Sequence, residues 1–179
     1  GKTLIFASGM AAINAILSLL PPAGVIVAAT NGYQGTTTYL KNLHDTGKLT
    51  VRFVDLTNTK ECMAAIDGAQ MVHLESPINP LLDVVDLPKL ISYAKGKGCG
   101  VSVDNTFATP MNQNPLAMGA DIVMHSVTKY LAGHSDVILG SLSTKDPALH
   151  ARLQDARVSY GSIAGPFESW LALRGIRTF

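Results

Sequence analysis

The chain has 179 residues, with 14 Lys and Arg against 13 Asp and Glu, a net charge of +1 and no basic cluster, which excludes the electrostatic footprint of a nucleic-acid binder. Hydrophobic residues make up 47% and charged residues 15%, an apolar balance that calls for burial against a partner or a further domain. The longest apolar stretch, 11–29, is interrupted by Asn14 and by Pro21-Pro22 and cannot cross a bilayer as a helix.

Short β-branched runs alternate with helical patterns along the whole chain. Strands are expected at Thr3–Ala7, Val25–Ala29, Val51–Val54, Met71–Glu75, Val101–Asp104, Asp121–His125 and Val137–Ser143. After the first strand, Met10, Ile13, Leu17 and Leu20 share one helical face, and Pro21-Pro22 ends the pattern. Asn58 and Glu61 have capping-box spacing. Asp86 precedes a helix that the glycines of "GKG" stop, and Asp146-Pro147 opens another. Apolar strands alternating with helices imply a largely parallel sheet covered on both faces. Only eleven residues separate His125 from Val137, with no amphipathic helix among them. That is short for a right-handed crossover, so the last strand is expected to run antiparallel.

The sequence carries no leader pattern at its start. Cys62 and Cys99 lack close spacing and read as reduced core thiols of a cytoplasmic protein. The five histidines show no metal spacing. Both ends fall in mid-pattern, which suggests a piece of a larger protein.

Ligands of open α/β sheets bind beyond the carboxyl ends of the strands, and unusual polar residues gather there. Ser8, Gly9 and Met10 follow the first strand and open a helix, where free N–H groups suit a phosphate and an ordinary serine cap suits equally. Tyr33 lies between glycines after the second strand, Glu75 closes the fourth and Asp104 the fifth. A carboxylate at Asp104 needs a cation or strong donors to be buried, unless it caps the turn in "DNT". Ser126, Thr128 and Lys129 follow the sixth strand, and in extended backbone the two hydroxyls would share one side.

Lys129 supports two readings. Ser126-Val127-Thr128-Lys129 fits S-x-x-K of serine acyl-enzymes, although the companion S-D-N and K-T-G motifs are missing. Alternatively, Lys129 holds pyridoxal phosphate as a Schiff base, with Asp104 for the ring nitrogen, a phosphate cup and Tyr33 over the ring.

"FASGMAAI", "ESPINP", "VDNTFATP", "HSVTKYLAGHSD" and "LRGIRTF" follow one another in the order and spacing of the Cys/Met-metabolism family of pyridoxal-phosphate enzymes, which the whole chain resembles. That family includes cystathionine γ-synthase, cystathionine γ-lyase and methionine γ-lyase. The resemblance implies that residues 1–179 form the pyridoxal-phosphate-binding large domain of fold type I, aspartate-aminotransferase-like. Its α/β sheet has seven mostly parallel strands with an antiparallel last strand and helices on both faces. It implies Lys129 as the Schiff-base lysine and Asp104 as the ring-nitrogen partner. Ser8, Gly9, Met10, Ser126 and Thr128 take the phosphate. Tyr33 stacks on the ring and serves as acid/base, and Asn79 and Glu75 lie near the cofactor.

The implied activity is γ-replacement or γ-elimination on a homoserine- or cysteine-derived amino acid. A methionine γ-lyase, another C–S lyase or a sulfhydrylase of the same family is the alternative, and a non-catalytic assembly domain a remote one. Where the family shows Y-G-G-T this chain has Tyr33-Gln34-Gly35-Thr36, and Gly35 in place of a cysteine counts against methionine γ-lyase. The family also implies a homo-oligomer, a dimer that shares active sites and pairs into a tetramer. Its N-terminal arm and C-terminal small domain, which complete the site, are not within these residues.

Overall fold

β-Branched and aliphatic runs become seven short strands in the computed structural model, which describes residues 1–179. They are β1 (Lys2–Phe6), β2 (Val25–Ala29), β3 (Thr50–Val54), β4 (Met71–Glu75), β5 (Gly100–Asp104), β6 (Ile122–Ser126) and β7 (Gly140–Thr144). Their order in the sheet is β1-β7-β6-β5-β4-β2-β3. Seven helices connect or follow them: α1 (Gly9–Leu17), α2 (Gln34–Asp45), α3 (Thr59–Ile66), α4 (Leu87–Gly96), α5 (Thr109–Asn112), α6 (Pro147–Ser159) and α7 (Pro166–Ile176). None is long and apolar enough to cross a membrane.

The chain forms two compact units. Residues 20–104 and 114–121 make one, in which β2 pairs in parallel with β3 and β4, and β4 with β5. All five residues of β4 are buried, as a strand covered on both faces requires. Asn58 caps α3 by accepting from the Glu61 N–H, and Asp86 caps α4 by accepting from that of Lys89. α2 was not foreseen: its residues are mostly polar, and only Thr36 and Leu40 are buried, so its apolar face is too narrow to mark a period.

Residues 1–19, 105–113 and 122–179 make the other unit. Here β7 runs antiparallel to both β1 and β6, as the short connection demanded. It begins at Gly140 rather than Val137, because residues 137–139 belong to the preceding loop. α1 stops at Leu17, one turn before the prolines, where the Ser18 hydroxyl donates to the Ala15 carbonyl. α1 packs on β1, β6 and β7, and α6 packs on β1, β7 and α1. The Asp146 carboxylate caps α6 by accepting from the N–H groups of Ala148 and Leu149.

Candidate functional site

β6 ends on Ser126, and residues 127–130 leave it as a turn. The turn breaks the strand alternation that would have put the hydroxyls of Ser126 and Thr128 on one side. The Thr128 hydroxyl instead donates to the Leu139 carbonyl at 3.1 Å and accepts from the Leu139 N–H at 3.0 Å. It stands in for a pair of strand hydrogen bonds, so the loop closes back on buried backbone. Behind it, Val127, Ala132, Val137 and Leu139 pack against Leu171 and Ala172 of α7. Arg174 of α7 also donates to the carboxylate of Asp136. His134 bonds the Ala132 carbonyl at 2.7 Å, so His134 and Asp136 brace the loop. Lys129 stands on this braced turn, exposed and outside any ion pair. It lines a cavity of about 720 Å³ together with Phe107, Tyr130, Asp136 and Ile138.

The start of α1 lies against the end of β6. The Ser8 hydroxyl accepts from the Ala11 N–H at 3.0 Å, so the ordinary cap is present, and the N–H groups of Gly9 and Met10 fall outside the intrahelical ladder. A Cβ on Gly9 would sit 3.1 Å from the Met124 methyl and 3.3 Å from the Ser126 Oγ. Glycine therefore keeps open a cradle with free N–H groups on one wall and a hydroxyl on the other, which fits a phosphate group. The Ser126 N–H donates to the Thr106 Oγ1 at 2.8 Å, a brace that sequence reading missed because "DNT" looked like a plain turn.

In the other unit, Glu75 and Asp104 end neighbouring parallel strands and stand opposite one another in the register. Both are buried. The two oxygens of Glu75 accept from the N–H groups of Tyr33 and Asn79, each at 2.9 Å. Burial nevertheless raises the Glu75 carboxyl from 4.5 to about 7; the two N–H donors oppose that rise and the neighbouring Asp104 adds to it. Tyr33 is the cap residue of α2 rather than a loop residue, and its side chain is exposed. A Cβ on Gly32 would lie 2.9 Å from the Glu75 carboxylate, so the glycine before Tyr33 is what lets that carboxylate approach.

Two histidines are neutral structural groups. Burial lowers both from 6.5 to about 4. His73 bonds the Ser102 hydroxyl at 2.9 Å. His125 meets the Asn105 amide at 3.1 Å, and that amide also donates to the Gln113 carbonyl and accepts from its side chain. Asn105, fully buried, was not singled out from the sequence. No group of three or more His, Cys, Asp or Glu is arranged to hold a metal ion.

The family model for the Cys/Met metabolism PLP-dependent enzymes matches residues 1–179. The chain is 42% identical over 176 residues to a cystathionine gamma-lyase from Dictyostelium discoideum, covering 98% of this chain and 46% of that protein. It is 42% identical to a cystathionine beta-lyase from Lactococcus lactis subsp. cremoris, covering 97% and 46%. Among solved structures, a cystathionine gamma synthase from Xanthomonas oryzae pv. oryzae, in complex with aminoacrylate and cysteine, superposes with a TM-score of 0.94 at 38% identity, covering 98% of this chain and 46% of that one. The chain thus spans about half the length of the relatives it matches.

Proposed function

The chain belongs to the Cys/Met metabolism PLP-dependent enzymes, and from that membership we propose that the protein makes or breaks C–S bonds of cystathionine-type amino acids. The reaction is γ-replacement or γ-elimination on a homoserine- or cysteine-derived substrate, with methionine γ-lyase or another C–S lyase or sulfhydrylase as the alternative. The carrying observation is Lys129, an amine outside any ion pair, on a turn tied by Thr128 and α7 and open to a cavity.

Bound pyridoxal phosphate would supply an electron sink for the carbanion left by α-proton removal. Lys129 is assigned to hold its aldehyde and, when free, would take the α-proton and then shuttle a β-proton, which leaves the electron pair that expels the γ-substituent. The N–H groups of Gly9 and Met10 and the hydroxyls of Ser8 and Ser126 are assigned to its phosphate. Thr128 would join them by exchanging its bond to the Leu139 carbonyl. Asp104 would keep the proton on the ring nitrogen. Tyr33 would cover the ring and move a proton to the leaving group, with Asn79 at the phenolic oxygen and Glu75 beside it. A homo-oligomer with shared active sites in the cytoplasm completes the proposal; the exposed apolar residues Phe167, Trp170 and Leu173 of α7 support burial against another surface.

The test is to add pyridoxal phosphate to the full-length protein, reduce with borohydride and map the adduct. Label on Lys129 is expected, and label elsewhere or none overturns the reading. Turnover of O-acyl-homoserine with cysteine, against cystathionine alone, then distinguishes replacement from elimination.

A further inference from the structure

α2 begins without the usual means of satisfying a helix start. Its cap residue is Tyr33, whose side chain makes no hydrogen bond to the first turn, and that turn holds no acidic residue. The anion at this end comes from another element. Glu75, at the end of β4, accepts the Tyr33 N–H on one oxygen and the Asn79 N–H on the other. The two donors lie 42 residues before and 4 residues after it. A buried carboxylate is costly unless donors surround it, and here its donors are the main-chain groups of two residues assigned to the reaction. Gly32 sharpens the fit, since a side chain there would collide with the carboxylate.

We propose that Glu75 is a positioning residue: a carboxylate clamp that fixes the main chain of Tyr33 and Asn79, and through it the Tyr33 side chain relative to the substrate. This recasts Glu75 from a cofactor neighbour to a group acting through others, and it rests on the reading of Tyr33 as a residue of the pyridoxal-dependent reaction. The chemistry is stringent. A carboxylate accepts two N–H bonds at once, whereas an amide keeps one acceptor and turns an N–H donor towards the second N–H. Displacing a positioned group by about 1 Å costs on the order of 10²-fold in rate.

The experiment compares Glu75→Gln, Tyr33→Phe and the double variant in the full-length holoenzyme, reading kcat, KM and the circular dichroism of the cofactor band. Glu75→Gln is expected to lower kcat by about tenfold or more, with KM within about twofold, and to change the cofactor dichroism. Combined with Tyr33→Phe it should cost less than about threefold further, because the hydroxyl it positions has gone. Unchanged dichroism and kcat in Glu75→Gln overturn the clamp, as does a loss equally large in the Tyr33→Phe background. Should Glu75→Gln not fold, Gly32→Ala carries the same prediction by pushing the carboxylate off the Tyr33 N–H, and an unaltered cofactor band in it overturns the clamp. Borohydride labelling of the same preparations separates the two ideas. Label on Lys129 with an unchanged band overturns the clamp alone, and absence of label from the parent overturns the pyridoxal reading beneath it.

Discussion

In the loop that carries Lys129, other residues do the fixing and the amine itself enters no ion pair. Thr128 ties the turn to Leu139, Val127 and Ala132 pack on α7, and Arg174 pairs with Asp136. At the end of β4 the roles are reversed. Glu75 is itself the fixing group, buried, with both oxygens engaged by main-chain N–H groups. The contrast follows from what each group must do. An amine proposed to exchange covalent partners is served by a rigid base and open space, whereas a carboxylate proposed to orient others is served by burial and by donors to both oxygens. Removing the first should cost activity and little stability; altering the second should show in how stability depends on pH.

Lys129→Ala gives the largest expected effect. Turnover of the full-length protein should fall by about 10³-fold and the reducible linkage should vanish, with a change in unfolding free energy below about 0.5 kcal/mol. A large loss of stability would show that the amine also braces the loop. Leu171→Ala attacks the brace from behind and should cost about 2–4 kcal/mol in urea unfolding. Third comes the pH dependence of Glu75. Its carboxyl is raised from 4.5 to about 7, so the folded state holds the proton more tightly than the unfolded chain does. Its contribution to stability is therefore most favourable at low pH and is lost as pH rises from about 4.5 through about 7. Glu75→Gln removes that loss, and its stability relative to the parent should grow by up to about 3 kcal/mol across the window. His73 and His125 act in the opposite sense, losing stability as pH falls from 6.5 through about 4, and being common to both proteins they cancel in the difference.

Thr128→Val leaves the buried main chain of Leu139 short of both hydroxyl bonds and should cost about 1–2 kcal/mol, with Thr128→Ser restoring most of it. The smallest effect belongs to Arg174→Ala. The side chains of the pair are 44% and 33% exposed, which limits the loss to less than about 1 kcal/mol.

Most of the scaffold was legible because burial on both faces leaves apolar runs too regular to miss, as in β4 and β5. The caps at Asn58, Asp86 and Asp146 were legible because each acts within three residues of itself. α2 was not, since its helix start depends on Glu75 rather than on a local cap. Nor was the part played by Thr106, whose hydroxyl meets the Ser126 N–H twenty residues away.

By itself, the sequence determined the strand-and-helix alternation, the antiparallel last strand and the family. These rest on periodicity, connection length and motif order, which are local along the chain. Only the tertiary structure decided that the Thr128 hydroxyl closes on Leu139, that Gly9 opens a cradle beside Ser126 and that Gly32 admits the carboxylate of Glu75. Each of these depends on a hydrogen bond or close approach between residues beyond the reach of helix or strand periodicity, from 11 positions apart for Thr128 and Leu139 upward, and one-dimensional spacing does not encode which pairs will meet.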